Sequence, residues 1–392
     1  MTQLTHRIRT LNAISPIGLH RLPRESYQVG PDVADPHGIL VRSADLHGQA
    51  LPDSVLAVAR AGAGTNNIPV AALGKRGIPV FNTPGANANA VKELVLAGML
   101  LAARNIVPAA AFTKGLSGDD AEIDEAVEQG KKQFAGFELP GRTLGVIGLG
   151  AIGVQVANAA LGLGMRVLGY DPQITVGRAW QLSASVEQAS SLAELFGRAD
   201  VITVHVPLVE ATRGLVGPEE LGQMKPAPVL LNFARGGIVD DGAVIAALDD
   251  GRLRTYVCDF PTVALKDHPK VVALPHLGAS TGEAEENCAV MAAEQLRDFL
   301  LDGTIRNSVN FPDAALPRVP STNRLAIGNH NVPNMVGQIS TLLAGAGLNI
   351  ADLLNKSRGE LAYTLIDVDG PFPDELVTRI GQIDGVLSVR AL

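Results

Sequence analysis

Short apolar runs alternate with helical stretches along most of the chain, and the pattern restarts near residue 323. Residues 144–147 are apolar throughout and predict a buried strand; a glycine-rich turn and a helical stretch follow, and a second apolar run over 165–170 ends at Asp171. Further strands are expected over 200–207, 228–233 and 255–259 and from 271 onward, with helices over 191–196, 240–248 and 281–302. Repeated βα units of this kind predict a parallel, doubly wound sheet. Upstream, apolar runs at 9–13, 38–41, 56–59 and 80–81 predict a separate α/β unit. The stretch 82–104 is nearly apolar all round after Glu93, which predicts a helix buried between domains. Residues 115–130 are polar and acidic and suit an exposed helix or loop. Residues 313–322 carry two prolines and read as a linker. Beyond it, a strand at 324–327, a helix at 334–346, a strand at 360–368, a helix at 373–384 and a strand at 386–389 spell a compact βαββαβ domain.

Composition narrows this picture. The 392 residues suggest two or three domains, and 46% hydrophobic content lets each bury a core. A formal charge of -8 argues against a nucleic-acid partner. Cys258 and Cys288 have no metal-ligand spacing, so no metal is expected and a reduced, cytoplasmic setting is. The first residues lack an apolar signal core, and the most apolar helix segment, 94–103, is too short to span a bilayer, so no membrane partner is expected.

Candidate chemistry clusters at strand ends. Gly148, Gly150 and Gly153 form GxGxxG between the first strand and helix of the wound sheet. The first glycine permits a tight turn, the second lets backbone approach a pyrophosphate, and the third lets helix and strand pack closely. Asp171 stands where a carboxylate accepts hydrogen bonds from the ribose hydroxyls and repels a 2′-phosphate, which favours NAD over NADP. Arg42 and Ser43 follow one upstream strand and a glycine run including Gly64 follows the next, a setting for a carboxylate or phosphate. Arg235 follows the strand ending at 233; its guanidinium can fork onto a 2-hydroxy acid's carboxylate. His276 also follows a strand, and an imidazole exchanges protons near neutral pH.

Four stretches, 148–171, 204–208 (VHVPL), 231–240 (LNFARGGIVD) and 275–281 (PHLGAST), make residues 1–312 resemble the D-isomer-specific 2-hydroxyacid dehydrogenases. The tail resembles an ACT domain, an amino-acid-binding module, a pairing characteristic of the phosphoglycerate dehydrogenases within that family. The resemblance implies a Rossmann-type cofactor domain (86–276) set within a split flavodoxin-like substrate domain (1–85 and 277–312). A linker (313–322) and a ferredoxin-like ACT regulatory domain (323–392) complete it. It implies NAD-dependent oxidation of 3-phosphoglycerate in L-serine biosynthesis. Arg235 and His276 are then catalytic, and Ala151, Ile152, Val206, Ala234, Asp259 and Gly278 join the three glycines and Asp171 around NAD. Arg42, Ser43, Gly64 and Lys131 would meet the substrate, Lys131 from its own or a neighbouring subunit. L-serine would bind Asn329, Asn331 and Asn349 across an interface of a homodimer or homotetramer, although turn formation explains these asparagines equally well.

One departure stands out. The family pairs its histidine with a Glu a few residues beyond the strand carrying Asp259, but here the segment reads Asp259-Phe260-Pro261-Thr262-Val263-Ala264. Asp259 could serve instead, Asp267 could swing in, or His276 could work without a carboxylate. Rival readings are a dehydrogenase for another 2-hydroxy acid, such as glyoxylate or 2-hydroxyglutarate, and an NAD-sensing protein without turnover.

Overall fold

A computed structural model describes residues 6–319 and 322–392. Residues 1–5, and 320–321 within the expected linker, lie outside the described residues. The chain divides into two compact units, 1–86 with 282–392, and 87–281.

The first unit begins with β1 (His6–Leu11), α1 (Pro16–Leu19), β2 (Tyr27–Gly30), β3 (Gly38–Val41), β4 (Ala57–Arg60), α2 (Val70–Lys75) and β5 (Val80–Phe81). The strands make a parallel sheet in the order β2-β1-β3-β4-β5. β3 is buried at every position, as expected of a parallel strand covered on both faces. β1 starts and stops earlier than the apolar pattern suggests. Asn12 turns left-handed at φ 67° and its side chain accepts from the Ser43 amide at 3.1 Å, which ends the strand.

The second unit opens with α3 (Ala88–Ala103), α4 (Ile106–Lys114) and α5 (Asp120–Gly130). It continues through β6 (Thr143–Ile147), α6 (Ala151–Gly162), β7 (Arg166–Tyr170), α7 (Val176–Ala179), β8 (Glu187–Gln188), α8 (Leu192–Arg198) and β9 (Val201–Val204). α9 (Pro218–Gln223), β10 (Val229–Asn232), α10 (Asp241–Asp249), β11 (Thr255–Cys258) and β12 (Val271–Ala273) complete it. All seven strands run parallel in the order β12-β11-β10-β9-β6-β7-β8. The order reverses between β6 and β9, the switch point where such sheets bind ligands. α3 buries Val91, Val95 and Met99 in this unit's own core, and Gly98 lets the Phe233 ring in, since a Cβ there would lie 2.9 Å from it. The acidic stretch resolves as helix α5 because Asp119 and Glu122 form a reciprocal capping box.

The chain then returns to the first unit through α11 (Gly282–Asp302) and closes with β13 (Asn323–His330), α12 (Met335–Gly345), β14 (Ile350–Arg358), β15 (Leu361–Val368), α13 (Asp374–Gly381) and β16 (Val386–Ala391). These last strands form an antiparallel sheet, β14-β15-β13-β16, an ACT-like arrangement. Leu325, Ile327 and Ile366 pack under α12 and α13. The opposite face contributes Ala326, Tyr363 and Leu365 to the core that holds Phe81, Phe299 and Phe311 of the preceding α/β part. Polar contacts reinforce this join. Arg324 donates to the carbonyls of Asp302, Leu316 and Pro317, and the Tyr363 hydroxyl donates to the Gly303 carbonyl at 2.8 Å. The start of the proline-bearing segment is pinned as well, because Ile305 and Ala314 exchange backbone hydrogen bonds of 2.8 and 2.9 Å.

Candidate active site

The glycine turn sits at the β6 end. Gly148 has φ 91°, and a Cβ there would meet the His205 backbone carbon at 2.9 Å. A Cβ on Gly153 would lie 1.9 Å from the Gly148 carbonyl oxygen, whereas above Gly150 nothing lies within 4 Å. Gly150 therefore leaves open space over the first turn of α6, where Ala151 and Ile152 present amides without intrahelical acceptors. Asp171 caps the turn: its carboxylate accepts from the Leu149 amide at 2.8 Å and the Gln173 amide at 2.9 Å. Val206 closes the other side, its Cγ1 3.0 Å from the Gly148 Cβ position. Next to it, His205 bonds Thr203 through Nε2 at 2.9 Å, while its buried Nδ1 has no partner among the described residues. Burial pushes this imidazole down to about 3, so it is neutral. The open, amide-rich turn beside a carboxylate fits a dinucleotide.

Arg235 follows β10 and His276 follows β12, with β11 between the two strands. Asn232, the last residue of β10, organises the Arg235 turn: its amide donates to the Arg235 carbonyl at 2.9 Å and accepts from the Ala234 amide at 3.1 Å. The Arg235 side chain is exposed and donates to the Ala234 carbonyl at 2.8 Å. Asp259, 1% exposed just beyond β11, accepts from the Leu277 and Gly278 amides at 2.7 and 2.8 Å. Its carbonyl accepts from the His276 amide at 3.1 Å. These bonds hold His276 at φ 56°, a left-handed conformation costly for a residue with a side chain. The Asp259 carboxylate serves the loop, Asp267 pairs with Lys266, and the His276 imidazole has no hydrogen-bonding partner among the described residues. What it touches is Phe260, with ring centroids 5.0 Å apart. Phe260 also underlies the Arg235 turn, its Cβ 3.5 Å from the Gly236 Cβ position.

In the first unit, Arg42 and Ser43 follow β3 and Arg60 ends β4. Asn67 ties the two turns together, donating to the Ala44 carbonyl at 2.7 Å and accepting from Arg60 Nε at 3.0 Å. Gly64 lies in the same turn, beside Ala63, whose carbonyl accepts from Asn82 at 2.6 Å. Arg42 forms an ion pair with Glu285. Lys131, in the second unit, is exposed and pairs with Glu128. The sequence carries no chemical signal for the roles of Asn232 and Phe260, whereas Arg60 and Asn67 bound the glycine run that follows the third upstream strand.

The three tail asparagines do not gather within one chain. Asn329 is buried near one end of β13 and donates to the His330 carbonyl at 2.7 Å; Asn331 is exposed and donates to the Gly359 carbonyl at 3.1 Å. Asn349 precedes Ile350, which pairs with Val368, itself opposite Asn323 at the far end of β13. Asn323 and Asn329 are about six residue steps apart along β13, roughly 20 Å. One small ligand can touch both groups only if a second copy brings its own.

Residues 96–278 match the model described as the D-isomer specific 2-hydroxyacid dehydrogenase, NAD binding domain. A D-3-phosphoglycerate dehydrogenase from Haemophilus influenzae is 34% identical over 342 residues, 84% of this chain and 79% of that one. The chain belongs to the D-isomer specific 2-hydroxyacid dehydrogenases. The D-3-phosphoglycerate dehydrogenase of Escherichia coli is 31% identical over 396 residues, 96% of this chain and 92% of its own. Among solved structures, NAD+-bound 3-phosphoglycerate dehydrogenase from Entamoeba histolytica superposes with a TM-score of 0.59 at 26% identity, covering 78% of this chain and 98% of that one. The family's cofactor domain thus coincides with the second unit, where the glycine turn and Asp171 lie.

Proposed function

We propose that the chain oxidises D-3-phosphoglycerate to 3-phosphohydroxypyruvate with NAD, the first step of L-serine biosynthesis. The observation that carries this reading is His276 held left-handed beside Phe260, with Arg235 on a turn that rests on the same ring. Gly148, Gly150, Gly153, Ala151, Ile152, Asp171, Val206, Ala234 and Gly278 would hold NAD, which supplies the hydride acceptor when bound. Arg235 anchors the substrate carboxylate and polarises the oxygen at C2 as it becomes a carbonyl. His276 takes the hydroxyl proton as C2 loses hydride. Arg42, Ser43 and Gly64 would receive the phosphate, and Lys131 would add a charge from its exposed site, within one chain or from a second copy.

In the same reading L-serine acts as an inhibitor bound between two tails, where Asn329 and Asn331 of one copy meet Asn349 of another in a homodimer or homotetramer. The test is NADH formation with D-3-phosphoglycerate, D-2-hydroxyglutarate and D-glycerate, with and without serine. Turnover is expected with the phosphorylated acid, and His276→Ala should abolish it while leaving NAD binding intact. No turnover with any 2-hydroxy acid, despite NAD binding, would favour a sensing protein instead. Activity unchanged across a wide serine titration would remove the effector role.

A further inference from the structure

Asn232, the last residue of β10, is 1% exposed, and its side-chain amide is committed on both sides. Nδ2 donates to the Arg235 carbonyl at 2.9 Å and to the Tyr256 hydroxyl at 3.4 Å, while Oδ1 accepts from the Ala234 amide at 3.1 Å. The two ends cannot be exchanged, because an oxygen would then face a carbonyl and an NH2 would face an N–H. Ionised aspartate has the same shape but only acceptors, and leucine has neither group, so the position calls for an amide. The main chain of the same residue continues the linkage. The Asn232 carbonyl accepts from the Asp259 amide at 3.2 Å, and the Asp259 carbonyl accepts from the His276 amide at 3.1 Å. Three hydrogen bonds therefore connect Arg235 to His276 past the end of β11, and Asn232 makes two of them.

The Arg235 turn depends on that support. Gly236 and Gly237 follow Arg235, Gly237 has φ 83°, and all three residues are exposed, so the turn has little stiffness of its own. Its far end is fixed where the Gly237 carbonyl accepts from the Gly214 amide at 2.9 Å. Its near end, which carries the guanidinium, rests on Asn232. We propose that Asn232 is a positioning residue: it sets Arg235 in register with the loop of His276, so that the carboxylate anchor and the proton acceptor meet one substrate at a fixed spacing. This inference rests on the roles of Arg235 and His276 proposed above.

The test measures kcat and KM for D-3-phosphoglycerate and the dissociation constant of NAD in the wild-type enzyme, Asn232→Asp, Arg235→Ala and the double variant. Asn232→Asp keeps an oxygen for the Ala234 amide but turns a second one toward the Arg235 carbonyl. It should lower kcat/KM on the order of tenfold or more while changing the NAD dissociation constant less than about twofold, because a misplaced anchor costs rate steeply and the Ala234 bond survives. In the Arg235→Ala background the same substitution should add little, since no guanidinium is left to register; independent effects would multiply. Binding of D-3-phosphoglycerate by calorimetry reads the same cycle where turnover is too slow to measure. Asn232→Ala, which leaves the exposed turn free to meet water, carries the comparison if the aspartate variant does not fold. Losses that multiply in the double variant, or Asn232→Asp within about twofold of wild type while Arg235→Ala loses activity, overturn the inference and leave the assignment of Arg235 standing. If Arg235→Ala matches wild type, that assignment fails and the inference with it.

Discussion

His276 is held through its backbone rather than through its imidazole. Asp259 fixes the backbone on either side of it, and Phe260 supplies a wall for its ring. Phe260→Leu should therefore lower kcat about tenfold with little change in KM for NAD, whereas Phe260→Tyr, which keeps an aromatic face, should retain most activity. Steady-state kinetics check this, and equal losses in both variants would deny the ring a positioning role. His276 and Arg235 were legible in the sequence because each follows an apolar strand. The job of Asp259 was not, because the amides it binds at Leu277 and Gly278 lie 18 and 19 residues away. From sequence alone Asp259 was one of two named acids open to His276, beside working without one. Arg42 was legible as a strand-end cation, but its neutralisation by Glu285, 243 residues on, was not.

At the scale of single elements, the β6–turn–α6 unit is the most fully determined by local sequence. Gly148 and Gly153 each answer a steric demand met within the unit or by the adjacent β9 end, while Gly150 keeps the space above α6 open. Gly153→Ala places a methyl 1.9 Å from the Gly148 carbonyl oxygen, on backbone that cannot step aside cheaply. It should weaken NAD binding by at least tenfold, measured by titration of protein fluorescence. Gly150→Ala, which meets nothing within 4 Å in the protein, should preserve the fold while still hindering the pyrophosphate. Equal thermal midpoints for the two variants would contradict this contrast. The apolar helix α3 shows the limit of local reading: its pattern predicted burial between domains, but its buried side packs with Phe233 and Val156 in the cofactor unit's own core. The loop 277–281 likewise goes with that unit, because Asp259 holds its first amides.

On the scale of the whole molecule, the tail is joined to the α/β part of its unit by a shared core rather than by a slack tether. Arg324 and Asp367 form a bidentate pair, 2.7 Å on each side and 0% exposed, at the heart of that join. Arg324→Leu leaves a buried carboxylate unpaired and should cost about 3–5 kcal/mol. Arg324→Leu with Asp367→Leu should recover most of it, as read from urea midpoints; no recovery would mean the pair's other hydrogen bonds matter more than its charge. Arg390 of β16 also reaches this join, donating to the carbonyls of Phe299 and Leu300 at 2.9 and 3.0 Å. Burial, then His37 and Arg390, lower the His6 imidazole from 6.5 to about 4. A histidine depressed in the folded state contributes stability that is complete above pH 6.5 and is lost as pH falls toward 4. Thermal midpoints should fall across that window, and His6→Gln should flatten part of the fall.

The sequence by itself determined the parallel wound sheet, its glycine turn, NAD as the cofactor, and Arg235 and His276 as strand-end candidates for the chemistry. These depend on local periodicity and on glycine sterics, which a linear pattern carries. Only the tertiary structure decided what Asp259 binds, which acid meets Arg42, where the tail rests, and that Asn329 and Asn349 stand at opposite ends of one sheet. Each of those depends on side chains distant in sequence meeting across packed elements, and the free energy of such a meeting is set by burial and geometry that no spacing of residues encodes.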